Sequence, residues 1–364
     1  MRLGCTAFGG PAAHIAMMED EVVRRRQWIT HQEFLDLLGA ANLIPGPNST
    51  EMAIFLGHRR AGWPGLLVAG ICFILPAAVS VTLIAWAYVR YGKLPQAEGL
   101  LYGIKPVIIV IVVQALWGLG QKAIKSTWLA ALALACAILA FIGVHELLIL
   151  LGTGLLTGFA APLKHKRVGV HAVLPFLSLA SAGAPAAAPF SMTALFLFFL
   201  KVGSVLFGSG YVLLAFLRAD LVERWRWLTE SQLLDAIAVG QFTPGPVFTT
   251  ATFIGYLLGN IQGAVVATVG IFLPAFVFVA AAGPFVARLR SSPTAAAVLD
   301  GVNVASLALM AVVTFRLGAA AVVDWPTVLL ALVSAVLLFR YRINSAWLVL
   351  GGAAIGLGVF SLAK

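Results

Sequence analysis

Charge is scarce in this chain. Asp, Glu, Lys and Arg together make up 10% of the 364 residues, and the acidic side chains are the rarer kind, 14 against 24 basic ones. An ordinary soluble domain carries about 25% charged residues, so a soluble enzyme is excluded. Cysteine is nearly absent: Cys5, Cys72 and Cys136 stand far apart in apolar segments, where they read as small buried hydrophobes rather than a disulfide framework or metal site. The 6 histidines show no ligand spacing, and no cofactor is expected. A nucleophile beside a base, an HExxH string and paired aspartates are all missing from the apolar runs, which argues against an intramembrane enzyme acting on lipid. A signal peptide in the usual form is missing too. The chain opens within apolar sequence at Met1 to Pro11, whereas its later counterpart has a full apolar approach from Ala194 to Leu200, so the first helix is expected to be truncated.

Apolar residues, in contrast, make up 61% of the chain and the mean hydropathy is +0.99, which points to an all-α polytopic membrane protein whose partner is the lipid bilayer. The net charge of +10 raises nucleic acid as a partner. Lys and Arg fall in short clusters between apolar runs, however, where basic residues act as topology signals, so nucleic acid is set aside.

Sliding the sequence on itself reveals a repeat at an offset of 199, then 198 after a one-residue slip. Phe8-Gly9 falls on Phe207-Gly208, Trp28 and Thr30 on Trp227 and Thr229, Asp36 on Asp235, and Pro45-Gly46-Pro47 on Pro244-Gly245-Pro246. After the slip, Gly57 meets Gly255, Gly65 meets Gly263, Leu75-Pro76-Ala77 meets Leu273-Pro274-Ala275, and Gly103 meets Gly301. Compositional bias aligns apolar residues by chance, but not this many prolines and glycines in register. The chain therefore divides into repeats at 1–162 and 192–364, joined by a basic, then Ala/Pro-rich linker at 163–191.

Each half begins with a helix interrupted by glycine, at Gly9-Gly10-Pro11 and at Gly208-Ser209-Gly210. Capping boxes at Thr30/Glu33 and Thr229/Gln232 then open the segments 33–60 and 232–259, each broken by Pro-Gly-Pro. Proline stops an arriving helix and suits the first turn of a new one. The arms on either side of the break are about a dozen residues, or about 18 Å, enough to reach mid-bilayer and return. Taking each segment as a re-entrant hairpin leaves five spans per half and makes the halves inverted repeats, with basic residues divided fourteen to eight in favour of the cytoplasmic loops. Arg24 to Arg26 and Arg59-Arg60 bracket the first hairpin on the cytoplasmic side, while Arg218, Arg224, Arg226 and Arg316 fall on the outer side. The alternative is six spans per half in parallel.

Irregular backbone persists at membrane depth only where protein or a water-filled cavity covers it, which makes the two breaks the first place to look for a ligand. After each break a half-helix starts with unpaired N–H groups and the positive end of its dipole, a ready anion site. Asn48, Ser49 and Thr50 add donors in the first half and Thr249 and Thr250 in the second. Gly9, Gly10, Gly208 and Ser209 either form an anion nest or allow close packing. Arg2 and Lys201 align before those glycines, and Lys105 aligns with Asn303. Each basic residue either faces a site or snorkels from a helix end, and Lys105 is favoured as site-facing. Glu51 follows the first break and has no acidic counterpart, since Thr250 stands there in the second half. It either carries a proton during exchange or compensates the helix dipole. Asp36 and Asp235 are read as dipole compensation, and His14, Met17 and Met18 as helix packing.

Phe8-Gly-Gly-Pro-Ala-Ala-His-Ile15, Pro45-Gly-Pro-Asn-Ser-Thr-Glu51 and the second Pro244-Gly-Pro246 together resemble the chromate ion transporter family over nearly the whole chain. The resemblance implies a plasma-membrane secondary transporter of two homologous halves that exports chromate using the proton-motive force and confers chromate resistance, with some members linked to sulfate. Its expected partners are a chromate or sulfate anion and protons, with a homodimer as a compatible assembly. Nothing in the residues separates chromate from sulfate, and transport of another oxyanion or a passive anion channel stays open at this point.

Overall fold

In the structure, a computed structural model, residues 2–6, 10–92, 94–163, 189–206, 213–282 and 293–362 are described. Helices account for nearly all of them, and no strand occurs among the described residues. The first half contains α1 (Arg2–Thr6), α2 (Gly10–Glu19) continued by a π-helix (Asp20–Arg25), α3 (His31–Ala41), α4 (Asn48–Tyr91), α5 (Pro95–Ala123), α6 (Thr127–Phe141) and α7 (Glu146–Leu163). The second contains α8 (Met192–Val205), α9 (Leu213–Phe216) continued by a π-helix (Leu217–Arg224), α10 (Glu230–Phe242), α11 (Thr250–Ala282), α12 (Pro293–Ala321), α13 (Trp325–Arg340) and α14 (Ser345–Leu362). Gly9, Gly208, Ser209 and residues 164–188 of the linker lie outside the described residues.

Both capping boxes form: Thr30 Oγ1 accepts from Glu33 N at 3.2 Å, and Thr229 Oγ1 from Gln232 N at 3.2 Å. The 44 residues of α4 would reach about 66 Å if straight, twice the thickness of a hydrocarbon core. They do not run straight, because Ala61 and Gly62 leave helical geometry, as Gly259 and Asn260 do in α11. A Cβ on Gly57 would lie 2.2 Å from Gly65 O, and one on Gly255 2.2 Å from Gly263 O. Residues eight apart on a straight helix are separated by about 12 Å, so the chain reverses at both places. Arg59 Nη2 then lies 2.9 Å from Glu33 Oε1, which joins the two ends of the first broken segment. The segment thus folds back on itself, with its two ends side by side.

Among the described residues, four helices are long and apolar enough to cross a membrane: Asn48–Tyr91, Glu98–Ala123, Val247–Ala281 and Ala296–Ala321. The apolar helices α6 and α13 have 15 and 16 residues, short of the roughly 20 that a bilayer core needs. They are lodged against long helices of the opposite half. α5 packs on α13 and α14, and α12 packs on α6 and α7. Small residues permit both approaches: a Cβ on Gly103 would lie 1.9 Å from Gly352 O, and one on Gly301 would lie 2.1 Å from Thr157 Oγ1. The halves are therefore interlocked, α5 and α12 each held by the other half's last two helices, and one buried apolar cluster runs through both.

Candidate functional site

Each Pro-Gly-Pro tip sits against the other half. Gly46 has φ +139° and Gly245 φ +102°, backbone that L side chains rarely adopt. A Cβ on Gly46 would approach Ala275 Cβ at 3.8 Å, and one on Gly245 would meet Ala77 Cβ at 2.6 Å. The repeated Leu-Pro-Ala strings of α4 and α11 are thus where the opposite tips dock. Gly46 also donates its N–H to Leu206 O, 2.6 Å away at the end of α8.

The first tip is the more polar. Thr50 and Glu51 both donate their N–H groups to Pro47 O, at 2.7 and 3.1 Å, and so close the first turn of α4. Ser49, Thr50 and Glu51 are buried, and the Glu51 carboxyl folds back over the glycine so closely that a Cβ on Gly46 would lie 2.2 Å from Oε1. Asn48 Nδ2 donates to Asn42 Oδ1 at 2.5 Å. Asn48 Oδ1, Thr50 Oγ1 and both Glu51 carboxyl oxygens are buried without a hydrogen-bond partner among the described residues. Each such atom costs about 1–3 kcal/mol if nothing meets it, and four of them fall within one helical turn.

The second tip satisfies itself. Thr249 Oγ1 donates to Pro246 O at 2.9 Å, Thr250 Oγ1 to Val247 O at 2.8 Å, and Phe248 packs on Phe272. Its hydroxyl protons are turned onto its own backbone, leaving Pro244, Gly245 and Pro246 to shape the contact with α4.

Two of the basic residues singled out by the sequence, Lys105 and Lys201, are engaged by carboxylates. Lys105 Nζ lies 3.1 Å from Asp235 Oδ1 and 2.7 Å from Ser231 Oγ, while Tyr88 OH donates to Asp235 Oδ2 at 2.8 Å. Lys201 Nζ lies 2.5 Å from Asp220 Oδ2, and Arg224 pairs with the other oxygen of Asp220. Asn303 is exposed, and Gly10 begins α2. Asp235, read from the sequence as compensating a helix dipole, is instead 2% exposed and binds groups of the other half. The signal that would have found it is an aspartate inside an apolar run with a lysine elsewhere in the membrane to meet it. His14 packs edge-on against Phe73, as expected of a packing residue.

Comparison with known proteins agrees with this architecture. The Chromate transporter family model matches residues 1–159 and again 193–357. A chromate transport protein of Cupriavidus metallidurans is 33% identical over 100% of this chain and 92% of its own length. One from Pseudomonas aeruginosa is 32% identical over 99% of this chain and 91% of its own, and a probable chromate transport protein of Synechococcus elongatus is 31% identical over 92% and 86%. No solved structure matches the chain. With the family model covering both halves and relatives aligned end to end, the chain belongs to the chromate transporter family.

Proposed function

We propose that this multi-pass protein of the plasma membrane exports chromate from the cytoplasm by proton-motive force, with the first Pro-Gly-Pro tip binding the anion and Glu51 exchanging a proton as the site loads and empties. The observation that carries the reading is the buried, partnerless Thr50 hydroxyl and Glu51 carboxyl beside the N-terminus of α4, the first a donor and the second a donor when protonated. The helix start attracts a tetrahedral dianion, the hydroxyl and amide groups replace part of its water, and a carboxyl alongside has to be protonated while the anion is there. Gly46 and Pro47 shape the turn, Gly10 and Pro45 flank it, and Lys105, Lys201, Asn303 and the second tip complete the pathway between inverted halves. Lys105 and Lys201 act there through their carboxylate partners. Because that proton travels with the dianion, the pair carries a net charge of −1, and efflux is the direction that an inside-negative potential favours, by about 2.3 kcal/mol per 100 mV.

The test is flux in proteoliposomes carrying the purified chain, with pH gradient and membrane potential imposed separately. Chromate flux that follows both and is competed by sulfate is expected. Absence of flux of either anion refutes the reading, and flux indifferent to the proton gradient makes the protein a passive channel.

A further inference from the structure

A cavity of about 1090 Å³ opens between the α6–α7 loop, the π-helix Leu217–Arg224 and the C-terminal part of α12, and no residue of either tip lines it. Its walls come from segments that the charge pattern assigns to a single face, the outer one. Arg218, Arg224, Arg226 and Arg316 line it, with Glu146 and Glu223. Arg224 is committed to Asp220. The carboxylate of Glu223 holds two guanidinium groups from different elements, Arg218 beside it in the π-helix and Arg316 of α12 at 2.8 Å. Arg218 and Arg316 side chains are 12% and 29% exposed, whereas that of Glu223 is 45% exposed. Arg218 also reaches Glu230 at 2.5 Å, yet its Nε is buried with no acceptor. Arg226 has no ion-pair partner among the described residues. His145 Nδ1 accepts from Leu147 N at 3.2 Å, and burial, then the Arg224 charge, hold the imidazole below its usual range, so the ring presents a neutral N–H.

We infer that this cavity is a vestibule for tetrahedral dianions, in which the Glu223 carboxylate keeps the seat between Arg218 and Arg316 while no anion is present. The inference rests on the proposed oxyanion reading and adds a second, peripheral site to it. Two guanidinium groups from separate elements closing on one carboxylate form the donor set an oxyanion needs, and a dianion offers both of them more charge than the glutamate does. Glu223 is the exposed member of the trio, so it can swing out while the arginines stay. Arg226 supplies charge that no group among the described residues pairs with. At roughly 30 Å³ per water the cavity has room for about 35 molecules, so an anion enters with most of its shell. Such a site concentrates anions by its field rather than by stripping them, and salt screens it.

The test places Val144→Cys, in the loop lining the cavity, in a full chain whose Cys5, Cys72 and Cys136 are serine, and measures its reaction with anionic and cationic methanethiosulfonate reagents. Ile142→Cys on the same loop is a second reporter. At low salt the anionic reagent is expected to react roughly fivefold faster than the cationic one, with the preference fading at high salt. Sulfate slows the anionic reaction. Arg226→Asn, which keeps a residue tolerant of the φ of +56° found there, and Arg316→Gln reduce both effects, while Glu223→Gln strengthens them. Equal rates for the two reagents, or a preference indifferent to sulfate and to both arginine variants, overturns the inference. The labelling needs no flux, so it reads the vestibule even if the transport proposal fails.

Discussion

Lys105→Met cuts the ion pair that ties α5 to the second hairpin. In the intact protein the Lys105 side chain is 18% exposed and that of Asp235 2%, with Tyr88 and Ser231 completing the cluster. Removing the cation leaves a carboxylate that neither water nor another cation reaches. Breaking a buried pair in this way costs about 3–5 kcal/mol, and because water reaches part of Lys105 the lower figure, about 3 kcal/mol, applies. That corresponds to roughly a hundredfold in the folding equilibrium. Asp235→Asn alone leaves a lysine that water can partly solvate, so it costs less. The double variant Lys105→Met/Asp235→Asn removes both charges while Asn still accepts from Tyr88, and it is expected to come within about 1 kcal/mol of the parent. Denaturant unfolding of the four purified proteins in detergent gives the cycle, and flux measured in parallel assigns the role. Recovery of stability together with flux makes Lys105 a strut between the halves. Recovery of stability without flux puts it on the substrate. A double variant as unstable as the sum of the singles refutes the argument that Asp235 is what holds Lys105.

Gly46→Ala drives a methyl group onto the Glu51 carboxyl at a φ of +139°, so it should lose transport and destabilise the fold by about 1–2 kcal/mol, measured by flux and thermal unfolding. Gly245→Ala, which meets Ala77 rather than a polar group, should destabilise comparably. Glu51→Gln replaces partnerless oxygens with a neutral amide of the same shape, so the protein should fold at least as stably and transport with weakened pH dependence; unchanged coupling removes Glu51 from the mechanism. The hydrogen bonds from Tyr102, at 2.7 and 2.6 Å, hold the Asp324 carboxyl below its usual range. Its stabilisation is therefore present above the unfolded value near 3.9 and lost as pH falls through the lower folded one. Tyr102→Phe should flatten the loss of stability below about pH 5 in an acid titration followed by tryptophan fluorescence.

What the sequence could reveal was local or periodic. Thr30/Glu33 and Thr229/Gln232 announce caps because a capping box spans four residues, and the Pro-Gly-Pro breaks follow from proline chemistry alone. Matching of Leu75-Pro-Ala77 with Leu273-Pro-Ala275 exposed the duplication but not its use, since the Ala77–Gly245 and Ala275–Gly46 contacts join residues of opposite halves. The pair Lys105–Asp235 was hidden for the same reason: the lysine reads as facing a site or snorkelling and the aspartate as compensating a dipole, and only the fold brings them to 3.1 Å. The π-helices at Asp20–Arg25 and Leu217–Arg224 leave no hydrophobic period to read, as they fall in the charged stretches. Asymmetry between the tips was visible in Asn48, Ser49 and Glu51 against Val247, Phe248 and Thr250, whereas the inward turn of the Thr249 and Thr250 hydroxyls was not.

The exchange of helix pairs between the halves also sets an order of assembly. When α5 has left the ribosome, the surface around Gly103 that meets Gly352 has nothing to pack against until α14, the last of the described helices, is made. The first half must wait in the bilayer with that seam filled by lipid, and α6 and α7 wait likewise for α12. Neither half can finish folding alone, so a break in the linker is tolerated only if both fragments enter the same membrane and find each other there.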